Sequence, residues 1–165
     1  MKNSYIVLAV ILMIGVLMTG CNAAHAKIGD TVQVNYTGKL ADGSVFDSSV
    51  GREPFEFTLG AAQAVRGFDK AVLGMKVGEK KTVTIPADEA YGPHLDEMVV
   101  EVPREKLPST IDPKVGQMLE ATQKDGRKIV FTITNVSDNN TVTLDANHPL
   151  AGKDLTFDIE LVKIK

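Results

Sequence analysis

Most side chains able to do covalent chemistry stand in this sequence without the partners that chemistry needs. Ser48 and Ser49 follow Asp47, but no Gly-x-Ser-x-Gly elbow accompanies them, so a nucleophilic serine lacks its frame. Asp47 by itself reads as a turn residue that accepts backbone N–H bonds. His25, His94 and His148 show no metal-ligand spacing, and no metal is expected. Cys21 is the single cysteine, so an internal disulfide is excluded. Asn35-Tyr36-Thr37 matches a glycosylation sequon yet falls inside a predicted strand. A formal net charge of −3 over 165 residues gives no electrostatic reason to expect nucleic acid. What remains is a sparse aromatic set, three Tyr and six Phe with no Trp, each of which needs a reason for its position.

The chain opens on a segment unlike the rest. Lys2 gives a short positive start, and the run from Tyr5 to Met18 is apolar after its first residue. About 20 apolar residues are wanted to cross a bilayer, and this run is shorter. A charged start, an apolar run and small residues at its end predict a signal peptide over residues 1–20. Leu17-Met18-Thr19-Gly20-Cys21 resembles a bacterial lipobox, with Met18 where Leu is usual. Cleavage before Cys21 would leave its thiol to carry diacylglycerol, and acylation of the new amino terminus would add a second lasting attachment. Ala24-His25-Ala26 offers a competing small-x-small cleavage site that would release a soluble protein.

The elements that must position any site follow from Thr31 onward. Val32, Val34 and Tyr36 alternate with polar residues and predict a half-buried strand, as do Phe55, Phe57 and Leu59. Ala41-Asp42-Gly43 is a turn. Val65, Phe68, Ala71 and Val72 fall at helical spacing, with Gly74 as the stop. A helix of about two turns draws its stability from packing more than from propensity. Lys81 to Ile85 is a further strand. Val99 to Val102, Gln117 to Thr122, Lys128 to Val136 and Thr141 to Leu144 predict a second β-rich unit. Leu155, Phe157, Ile159 and Leu161 share one face of the last strand, after which Val162 and Ile164 change sides. That change requires either cover on the second face or a bulge. A terminal strand needs a partner, so it should close the sheet begun at Thr31. The fold class is therefore α+β, an antiparallel sheet around one short helix, with a small β-rich insertion.

Several short stretches, in order, carry a resemblance. They are Val34-Asn35-Tyr36-Thr37-Gly38, Gly43-Ser44-Val45-Phe46-Asp47-Ser48-Ser49, Pro54-Phe55-Glu56-Phe57, Val65-Arg66-Gly67-Phe68, Pro86-Ala87-Asp88-Glu89-Ala90-Tyr91-Gly92 and Phe157-Asp158-Ile159-Glu160-Leu161. Together they resemble the FKBP-type peptidyl-prolyl cis-trans isomerases. The insertion after Gly92, with its return through Asp145-Ala146-Asn147-His148-Pro149-Leu150-Ala151-Gly152, is similar to SlyD-like members with an insert-in-flap domain. The resemblance implies an isomerase domain over 27–94 and 146–165, and an inserted chaperone-like domain over 95–145. Lys165 is reached without the His- and Cys-rich tail of some SlyD proteins.

By resemblance, the pocket wall would be Tyr36, Phe46, Phe55, Val65, Phe68, Tyr91 and Phe157. Phe68 stands where many members carry Trp. Tyr91 and the Val65 backbone N–H would donate to substrate carbonyls, and Asp47 would accept near the mouth. Read from periodicity alone, Tyr36, Phe46, Phe55 and Phe157 suit an ordinary core equally well. Met98, Met118, Leu119, Ile129 and Phe131 are candidates for an apolar groove of the insertion, or for its own core. The expected activity is rotation of X-Pro bonds in exported proteins without a cofactor. The expected partners are unfolded or partly folded chains and, through the lipid, a bacterial membrane of the cell envelope; no nucleic acid is expected, and the chain is read as a monomer. The competing reading is a membrane-tethered holdase with a weak prolyl pocket.

Overall fold

The computed structural model describes residues 24–123 and 125–165. The signal segment expected over 1–20 and the lipid site expected at Cys21 lie outside the described residues. Among the described residues the order is β1 (Thr31–Lys39), β2 (Val45–Ser48), β3 (Phe55–Thr58), α1 (Arg66–Val72), β4 (Lys80–Ile85), β5 (Val99–Pro103), β6 (Met118–Thr122), β7 (Lys128–Val136), β8 (Thr141–Asp145) and β9 (Leu155–Ile164). Single 3-10 turns occupy Ala87–Glu89, Asp96–Met98 and Arg104–Lys106. None of the described helices is long and apolar enough to cross a membrane.

The first sheet is five-stranded and antiparallel, in the order β2-β1-β9-β4, with β3 also on β1. The first and last strands pair along nearly their whole length, as strand economy predicts. Because side chains alternate across a strand, Val32 and Val34 of β1 and Leu155, Phe157, Ile159 and Leu161 of β9 all turn to one face and are buried there. The two readings of the end of β9 resolve in favour of the bulge. Val34 pairs with Leu161 and Gln33 with Lys163, so Val162 is skipped and Ile164 returns to the core side opposite Val32. One extra residue restores the phase, as a β-bulge does.

Helix α1 lies against that face. It buries Gly67, Phe68, Ala71 and Val72, which adds Phe57, Leu59, Met75 and Ile85 to one continuous core. Full burial of each such Leu, Ile, Val, Phe or Met side chain is worth about 1.5–3 kcal/mol, far more than a seven-residue helix supplies by propensity. Two features seat the helix. Gly67 has no side chain where a Cβ would come 2.2 Å from Ile85 Cγ2, so α1 approaches β4 closely. Gly74, at φ +82, ends the helix and donates its N–H to Ala26 O at 2.8 Å.

The second sheet is four-stranded, in the order β5-β8-β7-β6. Its core is small: Ile133, Val142 and Leu144 are buried, with Val102, Leu107, Leu119 and Phe131 packed on them. Leu119 and Phe131 thus serve this core, whereas Met118 projects from the other face and is 64% exposed. Asn140, at φ +62, makes the tight turn between β7 and β8.

Candidate functional site

Above Phe68 the core opens into a hollow of about 150 Å³. Its walls are Tyr36 from β1, Phe46 and Asp47 from β2, Phe55 from β3, Val65 and Phe68 from the start of α1, Phe157 from β9, and Tyr91, with Gln63 and Ala64 at the lip. Every residue named from the sequence for the prolyl pocket is therefore brought into one place, and the groove candidates of the second sheet are not among its walls. The rings interlock edge to face. Phe68 and Phe157 lie 5.1 Å apart at 75°, Phe46 and Phe157 5.6 Å apart at 89°, and Tyr36 and Phe68 5.7 Å apart at 80°. Such geometries place ring edges on ring faces and are favoured by the aromatic quadrupole. Phe68 and Phe157 are nearly fully buried, so little of the floor meets solvent.

The strands converge here because Gly38 lets them. It pairs with Asp47 on one side and Phe157 on the other. A Cβ at Gly38 would lie 2.5 Å from Phe46 Cζ and 3.0 Å from Phe157 Cε1. The missing side chain is the space in which those two rings meet. On the opposite wall, Ala62 takes φ +55 in the loop that presents Gln63 and Ala64, and Gln63 Oε1 accepts the Thr58 N–H at 2.7 Å.

Polar groups gather at one side of the mouth. The Tyr36 hydroxyl donates to Asp47 Oδ2. Asp47 Oδ1 accepts from Arg52 Nη2 at 2.7 Å and from the Ser48 N–H at 2.8 Å. The Tyr36 hydroxyl holds Asp47 below the usual carboxylate range, with Arg52 adding to the effect against the burial that opposes it. Burial first, then the bond to Asp47 and its charge, push Tyr36 up to about 12. At neutral pH the pair is a charged acceptor bound to a protonated phenol. Ser49 is structural: its hydroxyl accepts the Tyr36 N–H at 2.8 Å where β1 and β2 close.

Tyr91 forms the outer wall. It is 41% exposed and stacks on His148 with ring centroids 3.9 Å apart and planes at 2°. Residues not singled out from the sequence as part of the site include Gly38, Arg52, Gln63 and Ala64. Arg52 lies five residues beyond Asp47, an ordinary loop spacing that carried no signal. A larger depression of about 390 Å³ lies on the outer face of the first sheet, where Lys80, Asp158 and Glu160 flank strand residues. It gathers solvated ion pairs such as Lys80–Glu160 at 3.6 Å and no converging aromatic wall. The smaller hollow is the one that can dry a ligand.

Comparison with known proteins agrees with this geometry. A family model described as FKBP-type peptidyl-prolyl cis-trans isomerase matches residues 22–162. A short-type peptidyl-prolyl cis-trans isomerase of Methanocaldococcus jannaschii is 37% identical over 150 residues, which cover 82% of this chain and 91% of that protein. The FKBP-type 16 kDa peptidyl-prolyl cis-trans isomerase of Escherichia coli is 33% identical over 134 residues, covering 81% of this chain and 89% of its own. The FKBP-type peptidyl-prolyl cis-trans isomerase SlyD of Helicobacter pylori is 40% identical over 113 residues, covering 68% and 60% respectively.

Proposed function

The chain belongs to the FKBP-type peptidyl-prolyl cis-trans isomerases, and we propose that its aromatic hollow is where the X-Pro bond turns. The reaction makes and breaks no covalent bond. Its obstacle is amide resonance, with a rotation barrier of ~18–20 kcal/mol. The planar imide is more polar than the twisted one, so a dry aromatic cleft disfavours the ground state relative to the transition state. Binding that strengthens at the transition state is what accelerates a reaction. Proline enters against Phe68 and Phe157. The Tyr91 hydroxyl and the Val65 N–H hold the flanking carbonyls, and Asp47, kept ionised by Tyr36 and Arg52, faces the amide dipole near the mouth. The observation that carries this reading is the convergence of Tyr36, Phe46, Phe68, Tyr91 and Phe157 on one hollow. Protease-coupled isomerisation of a short X-Pro peptide tests it. Acceleration by the wild type that drops in Tyr91→Phe and Asp47→Ala supports the assignment; no acceleration by the wild type sinks it.

The second sheet is read as an insert-in-flap domain over 95–145, set between the isomerase segments 27–94 and 146–165, that holds unfolded chains. Its exposed Met118, Val130 and Val100 support that role, because exposed apolar side chains on a small unit suit weak, varied contacts. A chain held there is at high local concentration for the prolyl hollow. This is also what favours the second reading, a holdase with a weak pocket. Replacing 95–145 by a short loop separates the roles: peptide isomerisation retained with suppression of aggregation lost assigns one to each unit. The lipobox-like Leu17–Cys21 run supports lipidation of Cys21 after loss of residues 1–20, and hence a tether to a bacterial membrane in the cell envelope, with exported proteins as substrates. Mass spectrometry of the mature amino terminus decides between this and cleavage after Ala26.

A further inference from the structure

Two stretches of chain cross between the sheets, 92–98 leaving the first and 145–152 returning to it, and they are bonded together more densely than a passive linker requires. The Asn147 side-chain amide acts as a surrogate strand: its Oδ1 accepts the Leu95 N–H at 2.9 Å and its Nδ2 donates to Leu95 O at 2.9 Å. Asn147 is 9% exposed, and a buried amide stays there because its bonds are made. Asp145 orients it, Oδ1 accepting from both the Asn147 N–H at 2.8 Å and Nδ2 at 2.7 Å. The other oxygen of Asp145 meets His94 Nε2 at 3.0 Å. Gly152, at φ +73, lies so close that a Cβ there would fall 3.0 Å from His94 Cβ, and its N–H donates to Gly92 O at 2.8 Å. Next to this cluster in sequence stand the two stacked rings, Tyr91 just before Gly92 and His148 just after Asn147. His148 Nδ1 accepts the Leu150 N–H at 3.1 Å, which fixes the ring on which Tyr91 lies.

We propose that Asn147, Asp145 and His94 are positioning residues for prolyl isomerisation, a clamp at the sheet crossing that holds the Tyr91–His148 stack as the outer wall of the hollow. The proposal rests on the reading of Tyr91 as a substrate-facing residue. None of the three touches the hollow. They act through the backbone of 91–95 and 147–148, whose crossing they lock, and a wall displaced by about 1 Å weakens catalysis strongly.

The clamp also responds to pH. The charged groups facing His94 are Asp145, at the end of β8 where the return segment begins, and Asp96 in the following 3-10 turn, with Nδ1 3.5 Å from Asp96 Oδ1; Gly152 of the return segment packs beside its Cβ. The bond to Asp145, then the charges of both carboxylates, raise His94 above its ordinary value. Burial pushes Asp145 up, but the bonds from Asn147 and His94 outweigh it and hold it low. A raised histidine contributes fully below the ordinary histidine pKa and loses its contribution as pH rises through the raised one. A lowered carboxylate contributes above the ordinary carboxylate pKa and loses that as pH falls through the lowered one. The clamp is therefore tightest between those two titrations and loosens on the alkaline side.

The full chain carrying ¹³C-labelled tyrosine, with the Tyr91 signal assigned by Tyr91→Phe, gives a readout independent of activity. In the wild type the Tyr91 ring signal should move with the His94 titration. In His94→Gln, which keeps a hydrogen-bond donor but does not titrate, that step should vanish and the alkaline fall in kcat/KM should flatten. Asn147→Ala should shift Tyr91 at every pH and lower kcat/KM by about tenfold. If Asn147→Ala fails to fold, the titration of His94→Gln decides. A Tyr91 signal indifferent to the His94 titration, or an alkaline limb unchanged in His94→Gln, overturns the clamp. A wild type without isomerase activity sinks the prolyl reading instead, and the Tyr91 signal still reports whether the clamp exists.

Discussion

Gly38→Ala adds one methyl group at the place where the site is tightest. The backbone of Gly38 lies outside the left-handed region, so alanine meets no conformational penalty there, and the whole effect comes from contact. The new Cβ would lie 2.5 Å from Phe46 Cζ and 2.9 Å from Phe46 Cε2. Carbon pairs at ease sit about 3.5–4.0 Å apart, so the two must separate by roughly 1 Å. The β1 backbone is pinned between β2 and β9, whereas Phe46 is the far end of a side chain on a four-residue strand, so the ring gives way. Phe157, 3.0 Å from the new methyl, is buried and can move less. The protein should fold, with a stability loss at or below the ~1–3 kcal/mol typical of overpacking. The hollow should lose its Phe46 wall, and a misplacement of about 1 Å at a catalytic surface costs up to 10²-fold in rate. The assay is kcat/KM on an X-Pro peptide alongside urea denaturation, with Phe46→Ala and the double variant to close a cycle. If the effect passes through Phe46, the double variant should be no worse than Phe46→Ala alone. Unchanged kcat/KM in Gly38→Ala would refute the reasoning, because the ring would have moved without consequence.

Further substitutions probe the supports of the site. Gly67→Ala sets a methyl 2.2 Å from Ile85 Cγ2 between α1 and β4, and both sides are packed, so calorimetry should show the full overpacking loss of about 1–3 kcal/mol. Arg52→Ala should cost little stability, about 0–1 kcal/mol as for surface pairs, since the Arg52 side chain is 62% exposed; activity should shift modestly. Asp47 has a folded pKa below its unfolded one, so its contribution is present above the ordinary carboxylate value and is lost as pH falls through the lowered one. A pH profile of kcat/KM should therefore hold through mildly acid pH and fall only below the usual carboxylate range, and Asp47→Asn should remove that acid limb. Tyr36, raised to about 12, should leave the native state holding a proton that the unfolded chain has lost, so stability should decline between about pH 10 and 12, measurable by denaturation.

The parts legible in the sequence are those where one residue pattern meets one environment. The alternation in β1 and β9 maps onto a single buried face, and the spacing of Val65, Phe68, Ala71 and Val72 maps onto the side of α1 that meets it. Gly74 marked the helix end because a left-handed residue is needed there. The short β2 was not legible. Its side chains are exposed or only partly covered, so Val45 to Ser48 shows no core periodicity, and it is a strand only because β1 offers an edge. The rings of the site were ambiguous for a related reason. Phe157 alternates like any core residue, and its edge-to-face meeting with Phe46 depends on the space left by the missing side chain at Gly38, which periodicity does not show. The partnership of Tyr91 with His148, and of His94 with Asp145, depends on where two distant crossings meet, which no local pattern encodes.

The central claim is the location of the proline ring, and proton NMR of the full chain with an X-Pro peptide tests it directly. Exchange cross-peaks between the cis and trans forms should appear on addition of the protein, on a timescale far below the tens of seconds of the free peptide. Intermolecular contacts should run from the proline ring protons to Phe68 and Phe157. Accelerated exchange with contacts only to the outer face around Lys80 and Glu160, or no exchange at all, would contradict the account.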